Sequence, residues 1–251
     1  MTSVWICAGV AVLGFCAGLF GLYLGKLLPD DHVNASRDMI GAMVGLISLL
    51  LALALGTLIG SAYSFYSTQK SELETFSASA IQLDLALSEF GPETAAARQG
   101  MRSTLEGVRA AIWGRKLTIA DADVRVPLKH LRDMDEYLAS LDAKTPAQKQ
   151  FAGAAAAAAS IMEQTRILIS LQLANPISWP LVVIVVSWAL ILFCGYGFLS
   201  RITATTFAAL ALGAFAIGSA LFLILELSTP FGGLFPVPAG AFDQMLAVLG
   251  S

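Results

Sequence analysis

Residues 39–63 read MIGAMVGLISLLLALALGTLIGSAY, with no Asp, Glu, Lys or Arg among them. A helix of about 20 apolar residues covers the ~30 Å hydrocarbon core of a bilayer. Inside that core the backbone must satisfy itself, which leaves only a helix or a closed barrel. Barrel strands alternate in polarity and this stretch does not, so it reads as a transmembrane helix. Val4–Leu24, Trp179–Leu199 and Thr203–Leu225 read the same way and are equally free of charge. The expected fold class is therefore an all-α membrane protein, with four transmembrane helices in a 2+2 arrangement. A helical stalk and domain is inserted between helices two and three. The expected organisation is residues 1–63 for spans one and two and 64–178 for the polar helical domain with its antiparallel stalk. Residues 179–228 then hold spans three and four, and 229–251 form a C-terminal tail.

Composition points the same way. The chain is 57% hydrophobic and only 13% charged, where soluble domains carry about 25% charged residues, and its mean hydropathy is +0.73. A net charge of −3, with basic residues in isolated pairs such as Arg115-Lys116, argues against a nucleic-acid partner. Cys7, Cys16 and Cys194 all fall in apolar spans, where small hydrophobic packing is their expected role. The start, Met1-Thr-Ser-Val-Trp5, lacks a basic n-region, so the first apolar run is expected to remain as a helix.

Small residues recur along the spans. Span one carries Gly14, Gly18, Gly21 and Gly25, and span two carries Gly41/Gly45 and Gly56/Gly60. Such small-xxx-small pairs let helices approach closely, within one chain or between copies. Span four offers Ala209/Gly213 and Ala214/Gly218 for the same use.

The polar middle continues the pattern in a different key. Leu28-Pro-Asp-Asp-His32 breaks the chain after span one, and Ser36 is placed to cap the next helix. Beyond span two, Leu73, Phe76, Ala80, Leu83, Leu87 and Phe90 follow in alternating steps of three and four, a coiled-coil seam. Gly91-Pro92 ends that helix, and proline suits the first turn of the next. Met101, Leu105, Val108 and Ile112 give the second helix a core stripe. An irregular stretch, Leu117–Val126, precedes a short expected helix over Pro127–Leu141. Thr145-Pro-Ala-Gln148 is a capping box, and the long helix it starts carries a second seam: Phe151, Ala155, Ala158, Met162, Thr165, Ile169 and Gln172. Asn175-Pro176 stops it before span three. The two seamed helices read as an antiparallel stalk.

Several motifs resemble, in order, a family of bacterial integral membrane proteins called bestrophin-like. They are Leu28-Pro-Asp-Asp-His32, Ser36-Arg-Asp38, Ala54-Leu-Gly56, Tyr66-Ser-Thr-Gln69, Gly91-Pro-Glu93 and Gln164-Thr-Arg166. The most specific is Leu221-Phe-Leu-Ile-Leu-Glu-Leu-Ser-Thr-Pro-Phe-Gly-Gly233. The resemblance implies a multi-pass protein of the bacterial inner (plasma) membrane with this two-plus-two layout. It carries no activity with it. The name implies kinship with anion channels, which is an analogy of fold and not of function. The chain departs from the family pattern at Ser228, often acidic there, at Thr229, often basic, and at Ser200-Arg-Ile202.

Catalytic signatures are missing, so no enzyme, cofactor or metal is expected. The two histidines, His32 and His130, are far apart, and no zinc, thiol-redox or phosphate-loop motif occurs. His32 beside Asp30 and Asp31 reads as a solvated turn before it reads as a pH-sensitive or metal-binding one. Glu226 is the only carboxylate attached to an apolar span. It is a candidate for a proton, ion or gating role at a pore mouth, set against a structural role at the membrane interface. Thr57, Ser61, Ser64 and Thr68 recur at four, three and four residues and form one hydroxyl stripe, a candidate lining for a wet path or a set of helix-to-helix bonds. Arg166, Arg201 and Pro230 are candidate interface anchors. The leading expectation is a homo-oligomeric ion channel or pore-like protein gated through its helical domain. The alternative is a non-conducting sensor or scaffold that binds a partner through that domain. The partners expected are the lipid bilayer, further copies of the chain and an inorganic ion.

Orientation follows from Lys and Arg near span ends and in short loops. Lys26, Arg37 and Arg201 flank one side, and Lys70 and Arg166 the other. This places the helical domain outside the cytoplasm, whereas the bestrophin analogy places it inside. A cysteine introduced beside Glu93 is expected to react with an impermeant thiol reagent in intact cells. Reaction only after lysis would reverse the orientation.

Overall fold

The computed structural model describes residues 2–27, 30–114, 136–174 and 179–249. Among them, all regular structure is helical. The helices are α1 (Thr2–Leu27), α2 (Asp30–Phe90), α3 (Ala95–Trp113), α4 (Pro146–Ala174), α5 (Trp179–Leu199), α6 (Ala204–Leu227) and α7 (Gly240–Val248). A 3-10 turn, Pro92–Thr94, leads into α3. Four helices, α1, α2, α5 and α6, are long and apolar enough to cross a membrane, which makes the chain a multi-pass membrane protein. The break at Leu28-Pro29, the stretch Leu117–Val126, Asn175-Pro176 and most of the helix expected over Pro127–Leu141 lie outside the described residues; residues 136–140 are helical.

Helix α2 begins at Asp30, so Ser36 lies within it and is not its cap. No proline interrupts residues 30–90, and the helix is unbroken to Phe90. It stops at Gly91, whose φ of 145° a side chain would resist.

The chain divides into two compact units. The first comprises Met1–Phe65 and Ile177–Thr229. In it α1 packs on α5 and α6, and α5 packs on α6 as well. Helix α2 meets α5 through Leu51, Val185, Ala189 and Leu192. Val44 of α2 sits so close to Gly195 that a Cβ there would overlap it. Close by, Ser48 Oγ and Tyr196 Oη share a hydrogen bond of 3.1 Å.

The second unit comprises Tyr66–Pro176 and Pro230–Ser251. Its core joins Leu73, Ala80, Leu83 and Leu87 of α2 to Ala155, Ala158, Ala159 and Met162 of α4. These are the two seams. The helices run antiparallel: Gln69 bonds Gln172 at one end, and Gln148 Nε2 donates to Phe90 O at 3.2 Å at the other. The capping box is formed, with Gln148 N donating to Thr145 Oγ1 at 3.1 Å and Thr145 N to Gln148 Oε1 at 3.2 Å. Met101 and Leu105 of α3 enter the same core. Arg98 of α3 clasps Asp84 of α2 with two bonds of 2.7 Å.

The segment read from sequence as a tail contains α7, and it closes this core. Phe242, Met245 and Leu249 are each at most 1% exposed. Phe242 stacks on Phe76, with ring centroids 6.4 Å apart, and tilts against Trp113 at 5.4 Å. Trp113 Nε1 donates to Val237 O at 3.0 Å, and Arg102 Nη1 to Leu249 O at 2.8 Å. Arg109 pairs with Asp243, and its guanidinium holds the Asp243 carboxyl below its ordinary value. That contribution is present above the unfolded carboxylate pKa and is lost as pH falls through the depressed one. It is small because the pair is exposed to water.

Phe242→Ala is therefore expected to destabilise the second unit by about 3–5 kcal/mol, the usual cost of emptying a buried aromatic site. Hydrogen exchange of the α3 amides measures it. Arg109→Met should leave the same amides almost as protected as in the wild type.

Candidate functional site

The described side chains of α2 divide by face. Leu51, Ala62 and Leu73 turn inward, at 4–6% exposure. Thr57, Ser61, Ser64 and Thr68 are all exposed. Heptad spacing keeps them on one side of the helix. Hydroxyls elsewhere in the spans bond back to their own helix: Ser48 to Val44 O at 2.9 Å, Ser187 to Val183 O at 2.9 Å and Ser219 to Ala216 O at 2.8 Å. Thr57 does the same toward Ala54 O at 2.9 Å. Among the described residues, the hydroxyls of Ser61, Ser64 and Thr68 make no such bond.

The two glycine ladders have opposite surroundings. Along α1, a Cβ on Gly21 would overlap the Cys194 carbonyl, and one on Gly25 would stand 2.8 Å from Phe198 O. Gly18 faces Leu210 at 2.8 Å, and Gly14 faces Phe193 at 3.1 Å. The missing side chains let α1 lie against the backbone of α5 and the side chains of α6. Gly197 of α5 answers from the other side, close to Gly18 O, and Gly218 of α6 meets Ala11 at 3.1 Å. A Cβ on Gly41, Gly45, Gly56 or Gly60 of α2 would meet no other part of the described chain within 4 Å.

Glu226 stands in the last turn of α6 and is 2% exposed. Its neighbours in sequence, Leu225 and Ile224, pack with Cys7, Ala62, Val182 and Leu221. Cys7 of α1 lies within electrostatic range of the carboxylate. The turn is closed by hydroxyls: Ser228 Oγ donates to Ile224 O at 2.6 Å, and Thr229 Oγ1 to Leu225 O at 3.2 Å. These bonds satisfy carbonyls that a helix end leaves open. The chain thus does not bring Glu226 to the surface that bears the hydroxyl stripe. Pro230 is fully buried beyond that turn.

Arg201 is exposed between α5 and α6, and its carbonyl accepts from Thr206 Oγ1 at 2.8 Å. Arg166 lies in α4, half-buried, with Nε unpartnered. Burial pulls its guanidinium below the ordinary value, and Glu163 pulls it back. The side chains of Asp30, Asp31, His32 and Ser36, and all of His130, lie outside the described residues. Among the described residues, no three His, Cys, Asp or Glu side chains are grouped to hold a metal.

One cluster was not singled out from the sequence. Gln69, fully buried, donates to Gln172, which donates to Glu72 Oε1 at 2.7 Å. Gln69 Oε1 and Glu72 Oε2 remain buried without a partner. The signal was available, because four residues back from Leu73 along the seam is Gln69. A buried polar layer in an otherwise apolar seam fixes the register of the two helices.

With this arrangement in place, one comparison decides kinship. A family model for the bestrophin-like domain matches residues 10–242. The chain belongs to the bestrophin-like family. No curated protein and no solved structure is a match for it. The matched region takes in most of α1, the other three membrane-length helices, the seamed pair and the start of α7.

The two ladders generate a paired test in this bestrophin-like chain. Gly21→Ala is expected to destabilise the protein in detergent by at least about 2 kcal/mol, since backbone carbonyls cannot yield to the new methyl. Gly56→Ala meets open space and should not destabilise the single chain; a helix-interior alanine is worth up to about 1 kcal/mol over glycine. Thermal unfolding of the two variants beside the wild type measures both.

Proposed function

We propose that this bestrophin-like protein is a homo-oligomeric membrane channel, or a pore-like protein, controlled through its helical domain. We further propose the two-plus-two topology, with the domain inserted between spans two and three. The location proposed is the bacterial inner membrane, with that domain on the extracytoplasmic side, and the role is not enzymatic. The observation that carries the reading is the outward hydroxyl stripe of α2. Thr57 and Ser61 are exposed within the charge-free stretch of α2, and Ser64 and Thr68 continue the line just past it. Thr57 bonds its own helix through Ala54 O, but the Ser61 hydroxyl has no such bond among the described residues, and turned to hydrocarbon it would lose its water and gain nothing. Turned to a water-filled path between copies, it stays solvated. The open glycine face of the same helix favours close approach between copies. Kinship adds support, since bestrophins are ion channels. The permeant species on this reading is an inorganic ion.

Glu226 is assigned a different part from the pore-mouth role weighed in the sequence. Its burial favours holding the end of α6 against α1 over lining a path. The same burial is what a non-conducting sensor or scaffold would have, and it is the feature that keeps that second reading.

The test is ion flux into liposomes reconstituted with the protein. Wild type is expected to conduct. Ser64→Phe should cut flux at least tenfold while leaving the assembly mass unchanged, and Glu226→Gln should leave conduction and its pH dependence near wild type. Absence of flux from a wild type that is folded and assembled would remove the channel reading in favour of the scaffold.

A further inference from the structure

The helical unit carries a second pair of seams that the described residues leave open. On α4, Ala157, Ile161, Gln164, Leu168 and Leu171 follow in steps of four, three, four and three, and all are exposed. On α2, Ser71, Thr75, Ala78, Gln82 and Leu85 do the same. These positions are distinct from the buried seams that join α2 to α4. The exposure is large: 60% for Leu85, 41% for Ile161, 49% for Leu168 and 63% for Leu171. None of the ten residues is charged, and the α4 line carries three large apolar side chains, Ile161, Leu168 and Leu171, where a helix face meant for water is charged or polar. Charge resumes at the margins, with the exposed Lys70–Glu74 pair beside the α2 seam.

What covers these faces is written in their pairing. The Gln69–Gln172 bond and the antiparallel direction set which residues share a height. Counted from it, Ser71 is level with Leu171, Thr75 with Leu168, Ala78 with Gln164, Gln82 with Ile161 and Leu85 with Ala157, each within about 3 Å at 1.5 Å per residue. In four of these five layers one side is small and the other large. The sense reverses at Leu85 and Ala157, so the volumes compensate layer by layer and do not merely follow one big helix and one small one. Compensating volumes are the mark of surfaces that pack together. Within one chain both seams face outward, so they meet only between chains. Rotation about an axis along the stalk keeps every residue at its height. Copies in a ring therefore bring one seam against the other at matching levels.

We infer that the outer seam of α4 in one copy docks on the outer seam of α2 in the next, a head-to-tail contact between helical domains that closes the assembly. The inference rests on the oligomeric part of the proposed function and names the surface that makes it. It predicts different contacts from any carried by the glycine face of the membrane unit.

The experiment uses full-length protein in detergent. Chains bearing Leu85→Cys are co-expressed with chains bearing Ala157→Cys, in a background where Cys7, Cys16 and Cys194 are alanine. Oxidation is expected to give a two-chain band that neither variant gives alone. Because that background places three changes in the spans, a volume swap is measured independently. Ala157→Leu should abolish assembly at concentrations where wild type is fully assembled, with helical content unchanged. Adding Leu85→Ala to the same chain should restore it. A wild type of multi-chain mass, with no mixed band and with assembly untouched by Ala157→Leu, overturns this contact; it leaves oligomerisation standing and gives the seams to a different protein. A wild type with the mass of one chain at every concentration overturns both the contact and the oligomeric reading.

Discussion

The membrane unit depends on the backbone contact between α1 and α5. Gly18 and Gly21 on one helix and Gly197 on the other remove the side chains that would hold them apart. In lipid no hydrophobic force draws helices together, so close van der Waals packing must do it. Once α1 lies on α5, the remaining helices have little freedom. Gly14 receives Phe193 of α5, and Gly18 receives Leu210, which brings α6 in beside α1. Gly195 receives Val44, which seats α2 on α5. Each step uses a missing Cβ as the socket for a neighbour's side chain.

The helical unit is held by the opposite device, large apolar side chains in water. Its two long helices mesh along buried seams, and α3 and α7 cover them. Gln69, Gln172 and Glu72 break the apolar run near one end. That layer adds little net stability, because two of its oxygens stay unpaired. It excludes a slip of the seam, since any shift would bury the amides against leucine. The C-terminal segment has a comparable role for the core as a whole, closing it with Phe242 and Met245.

Both units leave α2 partly uncovered, and on the same principle. The helix spends one face on cis packing and keeps another free of charge. In the membrane unit the exposed residues include Thr57 and Ser61 together with Leu46, Leu49 and Leu53, and Gly56 and Gly60 stand open beside them; in the helical unit the outer line is uncharged, with Leu85 at its end. The functional reading as a channel and the ring contact between stalks draw on these two stretches separately, one for conduction and one for assembly.

Much of the fold was legible in the residues. Charge-free runs of membrane length, the capping box at Thr145 and Gln148, and the three-four spacing of both buried seams are local periodicities, and local periodicity specifies a helix and its face. The C-terminal helix was equally local. Phe242, Met245, Leu246 and Leu249 have helical spacing, but it was obscured by the short glycine- and proline-containing stretch before it. The start of α2 was misplaced because Ser36 and Asp30 are both acceptable helix openers. What spacing cannot say is what lies opposite a face. The glycine ladders of α1 and α2 look alike in sequence, yet only the first is filled by the chain's own backbone. Glu226 carries the same letter whether it lines water or is sealed against α1. Those outcomes depend on which distant segment arrives within van der Waals reach, and that was decided only when the helices packed.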